Sequence, residues 1–296
     1  METKKNVYEM VTERVMEQMK QGIIPWHRPW TGAADGAINY VTRKPYSMLN
    51  QMLLGRSGEW LSFKQVKERG GNIKKGAKAG MVVFYTKFSY TKDEQQEDGT
   101  MVVTEHTIPV LRYYNVFHIE DCTGIESKLG GKPATAAEPI EAAEEIVNGY
   151  VSRESLRFKN DEPSNRAYYS PALDEVVVPM LSQYADAEEY YSTTFHELTH
   201  STMKKSRCNR EAENKIAAFG SKDYSREELV AELGSAYLCT TAGLNGEKAF
   251  RNSVAYIQGW LRALANDAKM IVWAASRAEK AARYILGEKE VTTQKI

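Results

Sequence analysis

The sequence predicts an α+β protein of two domains, and three observations carry that prediction. Apolar positions switch between helical and strand spacing over residues 1–126, a Gly-, Ala- and Pro-rich stretch without apolar period fills 127–139, and mainly helical spacing with short strands runs over 140–296. Val7, Met10, Val11, Val15 and Met19 line one side of a helix from Asn6 to Lys20, which Gly22 and Pro25 end. An irregular aromatic segment, Pro25 to Trp30, follows. Helices are expected over Ser47–Leu54 and from Phe63 to Lys67 after Ser62, the latter stopped by Gly70-Gly71. Met81–Tyr90 and Met101–Val110 read as the strands of a hairpin about the polar turn Asp93–Gly99, and Tyr113–Ile119 as a further strand.

Residues 127–139 are the expected linker, dividing a domain at 1–126 from one at 140–296. Beyond it the spacing predicts a helix over Ile140–Val151, strands at Arg166–Ser170 and Glu175–Val178, and a helix begun by Asp186, Glu188 and Glu189, acids that suit a helix N-terminus. Ile257, Leu261, Leu264, Ala268 and Ile271 recur at alternating intervals of four and three, which predicts one long helix over Asn252–Leu286 or two joined near Asn266.

Composition narrows the function classes. With 42% hydrophobic and 26% charged residues the chain can bury a core and stay hydrated, which excludes wholesale disorder. Apolar runs such as Met81–Tyr85 fall far short of the roughly 20 residues a spanning helix needs, and Met1–Asn6 is not followed by the apolar run of a secretory signal, so no membrane partner is expected. Cys122, Cys208 and Cys239 form no C-x-x-C pair; neither a disulfide framework nor a cysteine zinc knuckle is indicated, and a cytoplasmic location fits. Net charge is zero, yet between Gly36 and Tyr90 ten Lys or Arg face only Glu59 and Glu68, a local excess of eight.

His196-Glu197-Leu198-Thr199-His200 carries the sharpest chemistry. Histidines four apart on a helix stand on one face, so two imidazoles can hold one zinc ion, while Glu197 is placed to act as general base. Such a site serves hydrolysis of a peptide bond. Zinc needs a third protein ligand. Glu228 and Glu232, four apart in Ser225–Gly234, are the candidates, one to bind the metal and the other to hold a ligating histidine; a capping box from Ser225 to Glu228 is the competing explanation of Glu228. His106 and His118 read as structural.

The first domain interleaves aromatics, among them Trp26, Trp30, Tyr46 and Tyr85, with Lys64, Lys74, Lys75, Lys78 and Lys87. That composition suits single-stranded DNA, whose phosphates take cations and whose bases stack on rings. It equally suits core aromatics beneath a solvated basic face.

Several stretches carry a likeness: Pro25-Trp26 with Pro29-Trp30, Pro45 to Asn50, Trp60 to Val66 with Gly70-Gly71 and Lys75-Gly76, Tyr113 to Phe117, Cys122-Thr123-Gly124, and His196 to His200 with Glu228 to Glu232. In these, and along nearly its full length, the chain resembles the ArdC antirestriction family. The resemblance implies an N-terminal single-stranded DNA-binding domain, with Trp26, Trp30, Tyr46, Asn50, Lys64, Lys74, Lys75, Lys78, Tyr85 and Lys87 as candidate DNA contacts. It implies a zincin-like metallopeptidase domain after it, and a role in helping incoming mobile-element DNA escape restriction. It favours Glu228 as third zinc ligand, with Glu232 behind it. The partners it implies are single-stranded DNA and an unnamed, DNA-associated protein substrate; the alternative is a protection protein that binds DNA without proteolysis, its zinc serving stability.

Overall fold

The computed structural model describes residues 5–21, 25, 36–95, 101–129, 139–184, 186–210, 222–244 and 254–288. Trp26, Trp30, Gly22, part of the hairpin tip and most of the expected linker lie outside them. The first helix, α1 (Val7–Lys20), begins at a reciprocal cap: the Asn6 side chain accepts from the Glu9 N–H at 3.0 Å and the Glu9 carboxylate accepts from the Asn6 N–H at 2.9 Å. It buries Val11, Val15 and Met19 completely, each side chain contributing about 1.5–3 kcal/mol.

A four-stranded sheet follows, built from β1 (Ala37–Asn39), β2 (Gly58–Ser62), β4 (Gly80–Gln95) and β5 (Met101–His118) in the order β1-β2-β5-β4. Helices α2 (Met48–Leu54) and α3 (Phe63–Glu68) flank β2, and β3 (Asn72–Ile73) pairs with β6 (Cys122–Thr123). α3 starts at a capping box between Ser62 and Gln65. The strand read at Tyr113–Ile119 is not separate: β4 and β5 pair without a break from Gly80↔Val116 to Gln95↔Met101. Pro109 sits inside β5 because β2 meets β5 only at Val116–His118, so a missing N–H there can face an unpaired edge.

The second half holds α4 (Pro139–Glu154), a small sheet of β7 (Arg157–Lys159), β8 (Tyr168–Ser170) and β9 (Glu175–Val177) in the order β7-β9-β8, and the helices α5 (Ala187–Ser201), α6 (Lys222–Ala242), α7 (Val254–Asn266) and α8 (Met270–Ile285). The C-terminal periodicity thus resolves into two helices, α7 and α8, with the break just after Asn266, where Asp267 receives the Lys269 N–H at 3.1 Å and the Arg226 guanidinium at 2.5 Å. α6 starts three residues before Ser225, which rules out the capping box proposed at that position.

One apolar core spans both halves. Val11, Val15, Met52, Val83 and Leu111 pack with Leu229, Leu233, Ile271 and Ala275, so α6 and α8 close over α1, α2 and the base of the β4–β5 hairpin. A second core joins Tyr150 of α4, Val176 of β9, Phe195 and Leu198 of α5, and Leu238 and Cys239 of α6. α6 therefore belongs to both cores, and α5 lies against it.

Candidate metal centre

α5 is fixed at its start by Asp186, whose carboxylate accepts the Glu189 N–H at 2.9 Å. Tyr190, Tyr191, Phe195 and Leu198 are its buried side, which turns His196 and His200 toward α6. The two helices touch closely at Gly234, where a Cβ would come 2.6 Å from the Thr199 Cγ2, so any side chain there would push α6 away.

Three side chains converge across this contact. The Nε2 atoms of His196 and His200 are 3.1 Å apart; the Glu228 carboxylate lies 3.6 Å from the first and 3.5 Å from the second. Ligand atoms bonded to one tetrahedral ion at about 2.0–2.1 Å stand about 3.3 Å from each other. The spacing observed matches that edge length, and His196, His200 and Glu228 are the one group of metal-competent side chains found among the described residues. Two imidazole nitrogens and a carboxylate oxygen suit zinc and other divalent first-row ions.

Charge reinforces the geometry. Burial disfavours a charged His196, but Glu228, Glu232 and Glu197 outweigh it and push its pKa up to about 9. A centre with that much negative charge attracts a cation. Glu232, one turn along α6 from Glu228, acts on His196 through this field. Glu197 is buried, 8% exposed, and close enough to His196 for its charge to act on that ring.

Sequence reasoning missed two residues that brace the site. Glu227 places an oxygen 3.6 Å from the His200 Nδ1, the nitrogen turned away from the cluster. Arg210 in turn grips Glu227 with both arms of its guanidinium, at 2.7 and 3.1 Å, and donates to the Thr199 carbonyl at 3.0 Å and the Thr202 hydroxyl at 2.8 Å. Burial alone would raise the Glu227 pKa, yet His200 and Arg210 bring it down to about 2, which keeps it an anion. Only 3% of Arg210 is exposed, so the pair is a buried bolt between the end of α5 and the first turns of α6. No local pattern announces it: the partners are 17 residues apart in sequence.

The candidate DNA contacts separate. Lys64 on α3 is exposed, as are Lys74, Lys75 and Lys78 in the turn before β4. Tyr85 and Lys87 lie on one face of β4, the Tyr85 hydroxyl 3.2 Å from that of Tyr8. Tyr46 is core, 7% exposed, and Asn50 is fully buried with both ends of its amide spent on the Val83 backbone at 2.7 and 2.9 Å. Neither has surface to offer a nucleic acid; each instead secures α2 against β4. Trp26 and Trp30 lie outside the described residues.

Comparison with known proteins agrees with both halves. A family described as the N-terminal domain of anti-restriction factor ArdC matches residues 5–117, and one described as zincin-like metallopeptidase matches 144–277. The crystal structures of antirestriction protein ArdC from plasmid R388 are similar throughout. The metal-free form superposes with a TM-score of 0.70 at 29% identity over 97% of this chain and 100% of that one. The Mn(II)-bound form does so at 0.69 and 30% over 96% and 98%. A DNA primase TraC of Escherichia coli is 31% identical over 99% of this chain, which spans 21% of that relative's length.

Proposed function

Because the chain belongs to the ArdC antirestriction family, we propose that it binds single-stranded DNA of an incoming mobile element through residues 1–126 and hydrolyses a DNA-associated protein at a zinc centre in residues 140–296, with 127–139 joining the two. Convergence of two imidazoles and one carboxylate at 3.1–3.6 Å is the observation that carries the enzymatic half. His196, His200 and Glu228 would hold the ion. Zinc, when bound, supplies Lewis-acid polarisation of a carbonyl and acidifies water at neutral pH. Glu197, not a ligand in this reading, takes a proton on its carboxylate and returns it to the leaving amine. Glu227 and Arg210 hold the His200 ring in its ligating orientation, and Glu232 supplies negative charge behind His196. Three free cysteines suit work in a reducing cytoplasm. No helix among the described residues is long and apolar enough to cross a membrane.

Replacing the base separates proteolysis from simple shielding. Glu197→Gln keeps the shape of the site and should retain metal and oligonucleotide binding while protein cleavage falls by about 10²–10⁴-fold. Protection of incoming DNA against restriction, scored in cells, should fall with it. Full protection by Glu197→Gln would assign the role to DNA binding and leave the metal as a brace.

A further inference from the structure

The β4–β5 hairpin runs far beyond the sheet it belongs to. β2 reaches β5 only at Val116–His118, so from Met101 to Asn115 β5 pairs with β4 alone. The stretch from Phe84 to Gln95 extends about 40 Å at 3.4 Å per residue. A two-stranded ribbon is marginal by itself in water, and this one leaves large rings uncovered: Phe84, Phe88, Tyr90 and Tyr114 are 39–45% exposed.

Register sorts these side chains by face. Paired residues share a face and successive residues alternate. Val82↔Tyr114, Phe84↔Arg112, Phe88↔Ile108, Tyr90↔His106 and Lys92↔Thr104 therefore lie together. The rings touch in two groups, Phe84 with Tyr114 at 6.0 Å and Phe88 with Tyr90 at 6.2 Å, the latter stacked in turn on His106 at 5.4 Å. Between Val82 and Lys92 this face has Arg112 and Lys92 as charged groups and no carboxylate on either strand. Over the same span the opposite face has Lys87 and Glu105, with Glu94 on the first face and Asp93 on the second following toward the tip. The base of the opposite face is closed by α1, where Val83 and Leu111 are core and Tyr85 meets Tyr8.

We propose that the Phe84–Phe88–Tyr90–Tyr114 face of the ribbon is the platform on which single-stranded DNA stacks, with Arg112 and Lys92 beside the phosphates. Exposed rings with cations and no acid are what a base-stacking, backbone-tracking surface needs, and the charge difference between the two faces selects this one. It rests on the DNA-binding half of the functional reading and is independent of the metal centre.

Anisotropy of a labelled oligo(dT), titrated with the full chain at several salt concentrations, tests it. Phe88→Ala and Tyr90→Ala should each weaken binding about tenfold, Arg112→Gln should flatten the log–log salt slope by about 0.7, and Tyr113→Ala on the opposite face should stay within about twofold. Circular dichroism checks that each variant is folded. Oligo(dT) binding that survives Phe88→Ala and Tyr90→Ala, or that Tyr113→Ala weakens equally, overturns the assignment while DNA binding itself stands. Absence of binding by the unaltered chain removes the DNA-binding reading too. A dimer that Phe88→Ala converts to monomer, with oligo(dT) affinity unchanged, would assign the face to a second copy of the chain and overturn the proposal.

Discussion

The metal centre and the β4–β5 ribbon solve opposite problems with the same chain. At the centre a chain of contacts holds the His200 side from behind: Thr199 against Gly234, His200 against Glu227, Glu227 against Arg210, Arg210 against the last turn of α5. Along the ribbon, Phe88 and Tyr90 rest on each other, on His106 and on the backbone ladder, and only at the base does Phe84 reach a core ring, that of Tyr46. A site that must keep ligand atoms within tenths of an ångström of a fixed geometry needs a rigid surround. A surface that accepts many bases needs ring faces in contact with water and little else. Burial at one end and exposure at the other are what the proposed metal and DNA sites would each require.

The sharpest way to break that contrast is to remove Arg210. Arg210→Met leaves the Glu227 carboxylate buried without its cation, and breaking one side of a buried pair costs about 3–5 kcal/mol. Thermal unfolding should show it as a large drop in Tm. Phe88→Ala, which deletes far more apolar surface, should change stability by no more than about 0.5 kcal/mol because that ring is 45% exposed. Equal losses from the two variants would mean that the ribbon is as tightly held as the centre.

Glu227→Gln sharpens the comparison further by keeping the volume and the contact to Arg210 while removing the charge that faces the His200 Nδ1. Loss of such a partner behind a ligating histidine costs about 10–100-fold in metal affinity. Competition with a coloured chelator measures that directly. A merely structural role would lower the Tm of metal-free and metal-loaded protein together and leave the affinity where it was.

What could be read from the sequence divides along the same line. His196 and His200 were legible because helical geometry converts a spacing of four into a shared face, and the capping Asp186 marks where that helix begins. Two carboxylates one turn apart on α6 were legible for the same reason; helical spacing left both open, the family resemblance favoured Glu228, and the crossing of α6 over α5 is what brings Glu228 to the two histidines. Arg210 was invisible, since nothing near it in sequence refers to Glu227. In the first domain, composition could not separate the buried Tyr46 and Asn50 from exposed rings, because burial there depends on how α2 seats against β4. The aromatic face of the ribbon did leave a trace, in the even spacing of Phe84, Phe88 and Tyr90, but it becomes a face only once β4 and β5 are paired in register. The apolar core shared by α1, α6 and α8 was likewise beyond any single stretch of periodicity.

Acid should reach the helical half through Asp174, in the turn between β8 and β9. Its carboxylate takes the Lys204 ammonium at 2.6 Å, the Arg207 guanidinium at 2.9 Å and the Tyr169 hydroxyl at 3.0 Å, tying the segment that leads from α5 to Arg210 onto the small sheet. Burial pulls its pKa up, but these three partners outweigh burial and hold it below the usual carboxylate value. Since the folded pKa is depressed, the stabilisation is complete above the unfolded value of about 3.9 and is lost as pH falls through the folded one. Unfolding of the metal-free chain followed from pH 5 downward should therefore show a Tm that declines below about pH 4. Asp174→Asn should be less stable at pH 5 and should flatten the decline, the two curves converging in acid. Parallel curves would assign the acid sensitivity to other carboxylates and make the β8–β9 turn as indifferent to charge as the exposed stretch of the ribbon.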